Sequence, residues 1–307
     1  MISLVTACMN REQHLRQSLP CWLNLPQVAE IVVVDWSNRR PLGDLRELNP
    51  RIKVVRVEDE PKWVLSYAYN VGIRHASQPV IFKCDADCMP TLAATELLPG
   101  ADRFFAGRAL SADAKDKPSV NGQCIFSRAQ FETVNGYSEL IRTYGRDDED
   151  FYDRLIAAGF ARQDIPPARL NFVPHDHADR TANQFAAPEI ETVRSKVLGD
   201  THYNEMKNGY VGLEMRWSPA CQRAPFRTVA TEERLVVLAR DKAKELSVPA
   251  EIEAKAHLFA LRAVVLRLTP LSRAATEKLN ERACWAVIES KLKDSGFLGR
   301  RPEAKVA

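Results

Sequence analysis

The sequence predicts an α/β fold: an open, mostly parallel sheet flanked by helices, with a helical region at the C-terminal end. Three observations predict it. Short apolar runs alternate with segments of helical spacing over residues 2–90, the pattern of a parallel sheet with crossover helices. Acids fall at the ends of two of those runs, at Asp35 and at Asp85–Asp87, and in such sheets ligands sit beyond the C-terminal strand ends. From about residue 226 the chain reads as helices.

"ISLVTA" (2–7) is an apolar run ending in small residues and suits a buried parallel strand. "REQHLRQSLPCWLNL" (11–25) has helical spacing, with Leu15, Leu19, Trp22 and Leu23 on one side and Pro20 expected to bend or divide it. "EIVVVDWS" (30–37) and "RIKVVRVE" (51–58) are the next strands, and "SYAYNVGIRHA" (66–76) the next helix. "PVIFKCDADCMP" (79–90) is a fourth strand running into an acidic turn. "FFAGRAL" and "GQCIFSRAQF" suggest further strands, "DEDFYDRLIAAGF" a helix ended by Gly159, and "LNFVPHDHADR" a strand leading into a His-rich turn. "TEERLVVLARDKAKELS" (231–247), 249–267 and 271–295 read as helices, and the tail "GRRPEAKVA" as disordered. Residues 1–225 are expected to form one domain and 226–307 a helical region.

With 307 residues, 45% hydrophobic and 27% charged, the chain has an ordinary globular composition. A formal net charge of +3 without a long basic block is a weak nucleic-acid signal. Seven scattered cysteines without CxxC pairs read as reduced thiols, and the opening "MISLVTACMN" lacks a signal-peptide pattern, so a cytoplasmic location is expected. No apolar run is long enough to span a bilayer, which limits any membrane contact to a peripheral one. There is no GxGxxG after the first strand, no Walker A loop, no GxSxG elbow and no HExxH.

The acids carry the chemistry. Asp85 and Asp87 are hard oxygen ligands separated by one small residue, a spacing that suits Mg²⁺ or Mn²⁺ bridging phosphate oxygens; the plain alternative is a solvated turn. His175 and His177 flank an acid and either complete a metal site or decorate a polar loop. Asp35 either accepts a uracil imide N–H or a ribose hydroxyl, or caps a turn. Thr6, Asn10 and Arg11 follow the first strand, Arg11 being a pyrophosphate contact or an exposed surface arginine. Trp63 is a sugar platform or a core tryptophan. The run Asp147, Asp148, Glu149 and Asp150 gathers like charges, which repel unless compensated. It is either a helix start favoured by the dipole or a catalytic base with acceptor-binding neighbours.

Five segments in order, "SLVTACMNR", "EIVVVDWSN", "LSYAYNVGIRHA", "KCDADCMP" and "VNGYSELIRTYGRDDEDFYDRL", resemble glycosyltransferase family 2 with the GT-A fold. The last is similar to the acceptor-side motif of β-1,4-galactosyltransferases and bacterial polysaccharide transferases, and the likeness covers roughly residues 1–185. It implies a nucleotide-sugar half over 1–100 and an acceptor half over 101–225. It implies an inverting, metal-dependent transfer from a UDP-sugar to a hydroxyl acceptor, a glycan or polysaccharide. By the same resemblance Asp35 binds uracil, and Thr6, Asn10, Arg11 and Asn70 contact the donor. Asp85 touches ribose or metal, and Asp87 and His175 ligate Mn²⁺ or Mg²⁺, with His177 the substitute. Asp148 is the base, Asp147, Glu149 and Trp63 face the acceptor, and Asp150 is left out of the chemistry. Arg146 and Arg154 relieve the repulsion, although Arg146 stands where the pattern has glycine or another small residue.

Three rivals remain. A nucleotidyltransferase would usually carry a Gly-rich phosphate loop, and "TACMNR" has no glycine. A transferase acting on modified bases in DNA would use Arg262, Arg267, Arg273, Lys291, Lys293, Arg300 and Arg301, charges that a solvated helix face explains better. A non-catalytic binding protein is disfavoured by the intact set Asp85, Asp87, Asp148 and His175.

Overall fold

The computed structural model describes residues 1–108, 118–174 and 193–294. Nine of the described strands form one sheet in the order β10-β11-β3-β2-β1-β4-β7-β6-β8. Its centre is β1 (Ile2–Cys8), β2 (Val28–Trp36), β3 (Ile52–Glu58) and β4 (Val80–Lys83), all mutually parallel. These runs are nearly unbroken Val, Ile, Leu and Phe, as strands covered on both faces must be.

Helix α1 (Glu12–Leu23) lies on one face through Leu15, Leu19 and Trp22, in a core with Leu4, Val33 and Phe82. Pro20 neither ends nor divides it. Trp22 is fully buried and its indole N–H donates to the Cys88 carbonyl at 2.8 Å. The other face takes α2 (Leu65–His75), which approaches so closely that a Cβ on Gly72 would stand 2.7 Å from Val5 and Val34. On this face lies an aromatic core of Phe104, Phe126, Phe131, Tyr137, Phe151 and Tyr152, where Tyr137 stacks on Phe151 at 4.5 Å. Offset stacks of this kind add to simple area burial.

Strand β5 (Cys88–Pro90) leaves the sheet and pairs with β9 (Leu170–Phe172). Strands β6 (Arg103–Ala106), β7 (Cys124–Ser127) and β8 (Ala161–Asp164) complete one edge. The expected strand over 122–131 is half strand and half helix. Ser127 forms a capping box with Gln130 and starts α3 (Arg128–Thr133). Helix α4 (Asp147–Ala157) opens on the acidic run, and Gly159 follows it at φ +96°.

The expected helix over 231–247 is a correction. This stretch belongs to the hairpin of β10 (Phe226–Glu232) and β11 (Leu235–Arg240), with β11 parallel to β3. Val236, Val237 and Leu238 fit the open edge of a sheet, and that pairing overrides a helical spacing of short length. Arg234 makes the tight turn at φ +58°.

The chain groups into two compact units. One holds the sheet and, among its described residues, 1–108, 118–142, 147–174 and 217–247. The other holds 143–146, 193–216 and 248–294 among described residues. Its helices are α5 (Val193–Leu198), α6 (Thr201–Met215), α7 (Ala250–Leu268), α8 (Arg273–Thr276) and α9 (Glu281–Asp294). They enclose a core of Tyr203, Leu261, Val265, Trp285 and Ile288. The spacing at 249–267 and within 271–295 does form helices, whereas α6 has no counterpart among the expected elements.

Candidate active site

Because β1 to β4 run parallel, their C-terminal ends deliver four loops to one edge of the sheet: Asn10–Arg11, Asp35–Asn38, the residues after Glu58, and Cys84–Asp87. Strand β7 is antiparallel to β4 with Cys124 opposite Lys83. The residues entering β7, Asn121 to Gln123, therefore come to the same edge.

Lys83 is the centre of the cluster. It is fully buried, and its Nζ lies 2.9 Å from Asp85 Oδ1, 3.3 Å from Asp148 Oδ1 and 2.5 Å from the Gly122 carbonyl. The Tyr69 ring covers it at 4.5 Å. Burial would lower the ammonium pKa, but Asp148 and Asp85 outweigh it and hold the group above its usual value. One lysine thus bridges the acid after β4 and the acid at the start of α4.

Asp85 also accepts from Tyr69 Oη at 2.9 Å and from Gln123 Nε2 at 2.9 Å. Its side chain keeps a third of its surface exposed, whereas Asp87 is buried. Asp87 Oδ2 meets Arg11 Nη2 at 3.4 Å, and its carbonyl accepts from the Val173 amide at 2.8 Å. A Cβ at residue 122 would stand 2.4 Å from Asp85 Oδ2, so the backbone of Gly122 is pressed against that carboxylate.

Asp148 is buried, and Tyr137 Oη donates to its Oδ1 at 3.2 Å. Among the described residues its contacts fall on Oδ1, leaving Oδ2 unpartnered. Burial raises its carboxyl well above the usual range, with Lys83 opposing and Asp147, Asp85 and Glu149 adding to the rise. Asp147 is pushed up to about 7, by burial first and then by Glu149. Glu149 Oε1 accepts from Asn121 Nδ2 at 2.6 Å. Asp150 pairs with Arg154 at 2.8 Å, an i,i+4 bridge within α4. The acidic run is therefore not one solvated helix start: each of its acids has a different environment.

The raised Asp147 carboxyl makes a prediction about stability. Folded Asp147 keeps a proton that the unfolded chain has lost above about pH 4. Stability therefore falls as pH rises from there to about 7, because the folded state binds more protons in that window. Asp147→Asn is expected to shrink the difference in urea midpoint between pH 5 and pH 8. An unchanged difference would show that Asp147 titrates normally.

Several of the residues expected at the donor have protein partners of their own. Asp35 is fully buried with both oxygens engaged. Oδ1 accepts from the Asn38 amide at 3.0 Å and Asn38 Nδ2 at 2.7 Å; Oδ2 accepts from the Leu42 amide at 2.9 Å and Arg56 Nη1 at 2.7 Å. It shapes the loop after β2. Asn70 is buried too, clamping Tyr137 through its N–H at 2.8 Å and carbonyl at 2.9 Å and bonding Glu139 at 2.9 Å. Thr6 is fully buried within β1. Asn10 stays partly exposed and ties its loop to that of Asn38 and Arg39. Trp63 is half-buried and packs on the aromatic core. His175 and His177 lie outside the described residues. Arg146 takes φ +66°, the left-handed region, at the position where the resemblance implies glycine or another small residue.

An open cleft of about 560 Å³ lies at the ends of β2 and β3, lined by Ser37, Arg56, Glu58–Pro61 and Lys242. In the second unit Arg262 donates to the Leu279 carbonyl at 2.7 Å, Arg267 faces Asp200 at 3.5 Å and Arg273 pairs with Glu277 at 3.1 Å. Those three arginines serve their own unit. All seven cysteines are free thiols, and no helix among the described residues is long and apolar enough to cross a membrane.

Sequence reasoning missed Lys83, Tyr137 and Asn121. The signal for Lys83 is present: a single lysine inside the apolar run "VIFKC" needs a buried anion.

Two family models match parts of the chain. Residues 3–103 match the family model of glycosyl transferase family 2, and residues 112–178 match that of the N-terminal domain of galactosyltransferase. No curated protein matches the chain. Among solved structures, the catalytic domain of Drosophila beta1,4galactosyltransferase 7 in complex with xylobiose aligns at 14% identity and TM-score 0.48, covering 78% of this chain and 92% of that one. The mannosyltransferase PcManGT from Pyrobaculum calidifontis, solved with GDP-Man and Mn²⁺, aligns at 14% identity and TM-score 0.47, covering 98% and 88%. Residues 3–103 are thus similar to glycosyl transferase family 2, and residues 112–178 to the N-terminal domain of galactosyltransferase.

Proposed function

We propose that the protein is an inverting, metal-dependent transferase that moves a sugar from a UDP-sugar to a hydroxyl of a glycan. The observation that carries this reading is the Lys83 bridge. It sets an acid that suits the donor side, Asp85, and an acid that suits proton transfer, Asp148, on one buried cation at the ligand-binding edge of the sheet.

The donor set fits a hard divalent cation in part. Asp85 and Asp87 supply carboxylate oxygens, and a guanidinium already sits against Asp87. No group of three His, Cys, Asp or Glu that would hold a metal occurs among the described residues, so the two carboxylates would share the ion with phosphate oxygens of the donor. Mn²⁺ or Mg²⁺ bound there would stabilise the charge that develops on the leaving diphosphate.

The chain's own residues do the rest. Asp148 Oδ2 accepts the proton of the acceptor hydroxyl as its oxygen bonds to the anomeric carbon. The bond from that carbon to the diphosphate breaks on the opposite face, and its electron pair leaves with the phosphate. Burial raises the proton affinity of this carboxyl, while Lys83 opposes the rise and favours the ionised form that accepts a proton. Lys83 and Tyr137 hold Oδ1 and so fix which oxygen is offered. Glu149, held by Asn121, is placed to accept from acceptor hydroxyls. Because both oxygens of Asp35 already accept within the protein, we assign the nucleoside to the cleft of Ser37, Arg56 and Glu58, where Glu58 would accept from an imide N–H.

A thermal-shift series against UDP, GDP, CDP, TDP and ADP, each with and without Mn²⁺, tests the donor. Saturating UDP with Mn²⁺ is expected to raise the apparent Tm by about 5 °C, as ligand binding to the folded state does. A flat response to UDP, with a shift from another nucleotide, would replace the donor; no shift from any would remove the donor site.

A further inference from the structure

Arg11 differs from two other half-buried arginines of the sheet unit, Arg51 and Arg128, in how its guanidinium is held. Arg51 donates to the carbonyls of Leu23, Leu25 and Val28, and Arg128 to those of Ile73, Ala76 and Gln78. Those guanidinium groups are locked into backbone. The Arg11 guanidinium touches Asp87 through one long contact of 3.4 Å, and its buried Nε has no acceptor among the described residues. Its backbone, in contrast, is firmly set. Asn10 takes the left-handed conformation at φ +54°, its amide donates to Asn38 Oδ1 at 2.5 Å, and its own Oδ1 accepts from the Arg39 amide at 2.9 Å. A fixed backbone with a loosely held cation is an arrangement for exchanging partners.

The partner it holds is buried. Asp87 keeps only 5% of its side-chain surface, and a buried carboxylate needs a cation beside it. Arg11 is one such cation, its Nη2 3.4 Å from Asp87 Oδ2. A divalent ion approaching Asp87 meets a positive charge already in place, and the two compete. A diphosphate changes the balance, since a guanidinium binds phosphate oxygens bidentately and more strongly than through one 3.4 Å contact.

We propose that Arg11 is a place-holder on Asp87, yielding that carboxylate to the divalent ion when a nucleoside diphosphate takes up its guanidinium. The inference rests on the function proposed above and adds an order to it: Mn²⁺ and nucleoside diphosphate favour each other's binding, and Arg11 carries much of that coupling. Coupling of this kind is reciprocal by thermodynamic necessity.

The test is titration of Mn²⁺ into the full-length protein, with free Mn²⁺ followed by electron paramagnetic resonance, with and without UDP. Wild type is expected to bind Mn²⁺ weakly alone and more tightly with UDP. Arg11→Gln is expected to raise the nucleotide-free Mn²⁺ affinity by about tenfold, a size usual for coupled sites, and to reduce the gain from UDP. Arg11→Lys keeps the charge and is expected to stay near wild type, which separates loss of charge from disturbance of the fold. An Arg11→Gln protein whose nucleotide-free affinity is unchanged or lower, beside a wild type that binds Mn²⁺ with UDP, overturns the place-holder and leaves the proposed function standing. Wild type that binds no Mn²⁺ even with UDP overturns both.

Discussion

Asp148→Asn is expected to lower the transfer rate by about 10²–10⁴-fold, the usual contribution of a positioned general base, while UDP affinity stays within about twofold of wild type. The amide keeps the size of the carboxylate, and its carbonyl oxygen still accepts from Tyr137 and Lys83, which both lie at Oδ1. What it loses is the second oxygen as a proton acceptor. The donor side, Asp85 with Asp87, is left intact, so the loss should fall on kcat. Nor should folding suffer, because Asp148 carries a carboxyl that burial already penalises. Calorimetric UDP binding with Mn²⁺ and a single-turnover assay together read both quantities. A variant that transferred sugar at more than about a tenth of the wild-type rate would remove Asp148 from the base role, since a general base contributes more than that.

How much of this site is legible in the sequence depends on how local its determinants are. The strands β1 to β4 are legible because apolar runs of that length, spaced by helices, have few other ways to bury themselves. Their acids are legible for the same reason: a carboxylate ending a buried strand lands at the ligand edge whatever the details. Its direction is not. Asp35 turns inward because Asn38, Leu42 and Arg56 all donate to it, and two of these are loop contacts that no periodicity encodes. Asn70 looks like a polar residue on a helix near the donor, and only Tyr137 and Glu139 folding over it make it a clamp. The hairpin at 226–240 reads as a helix because the open edge of β3 that captures it is remote in sequence. Helix α6 is hidden by "NGYVG", where glycines and a β-branched residue lower helical propensity. Asp148 is legible as one of four acids. That it is the buried one, facing a lysine sixty-five positions earlier, depends on the pairing of β4 with β7 and on the aromatic stack beneath α4.

Lys83→Met should be the most damaging single change to stability at this site. Methionine fills the same strand position with a side chain of similar length, so the change isolates the charge. In wild type the ammonium is 2.9 Å from Asp85 and 3.3 Å from Asp148, with no exposed surface. Removing one partner of a buried ion pair leaves the other uncompensated and typically costs about 3–5 kcal/mol, which for a protein of this size lowers Tm by about 10 °C. The cost has a pH signature. Without the lysine the Asp148 carboxyl, already raised by burial, loses the cation that lowers it. Its folded pKa then lies still further above the unfolded value. The folded state holds the proton longer as pH rises, and stability falls across a wider window. The deficit of Lys83→Met should therefore be smaller at pH 5 than at pH 8. Adding Asp148→Asn to Lys83→Met should restore part of the loss, because one stranded charge is gone; two independent sites would instead add. Urea midpoints of the wild type, both single variants and the double variant at the two pH values form the full cycle. Additive losses with no pH dependence would mean that Lys83 supports the fold only through packing, and that the bridge between Asp85 and Asp148 carries no energy.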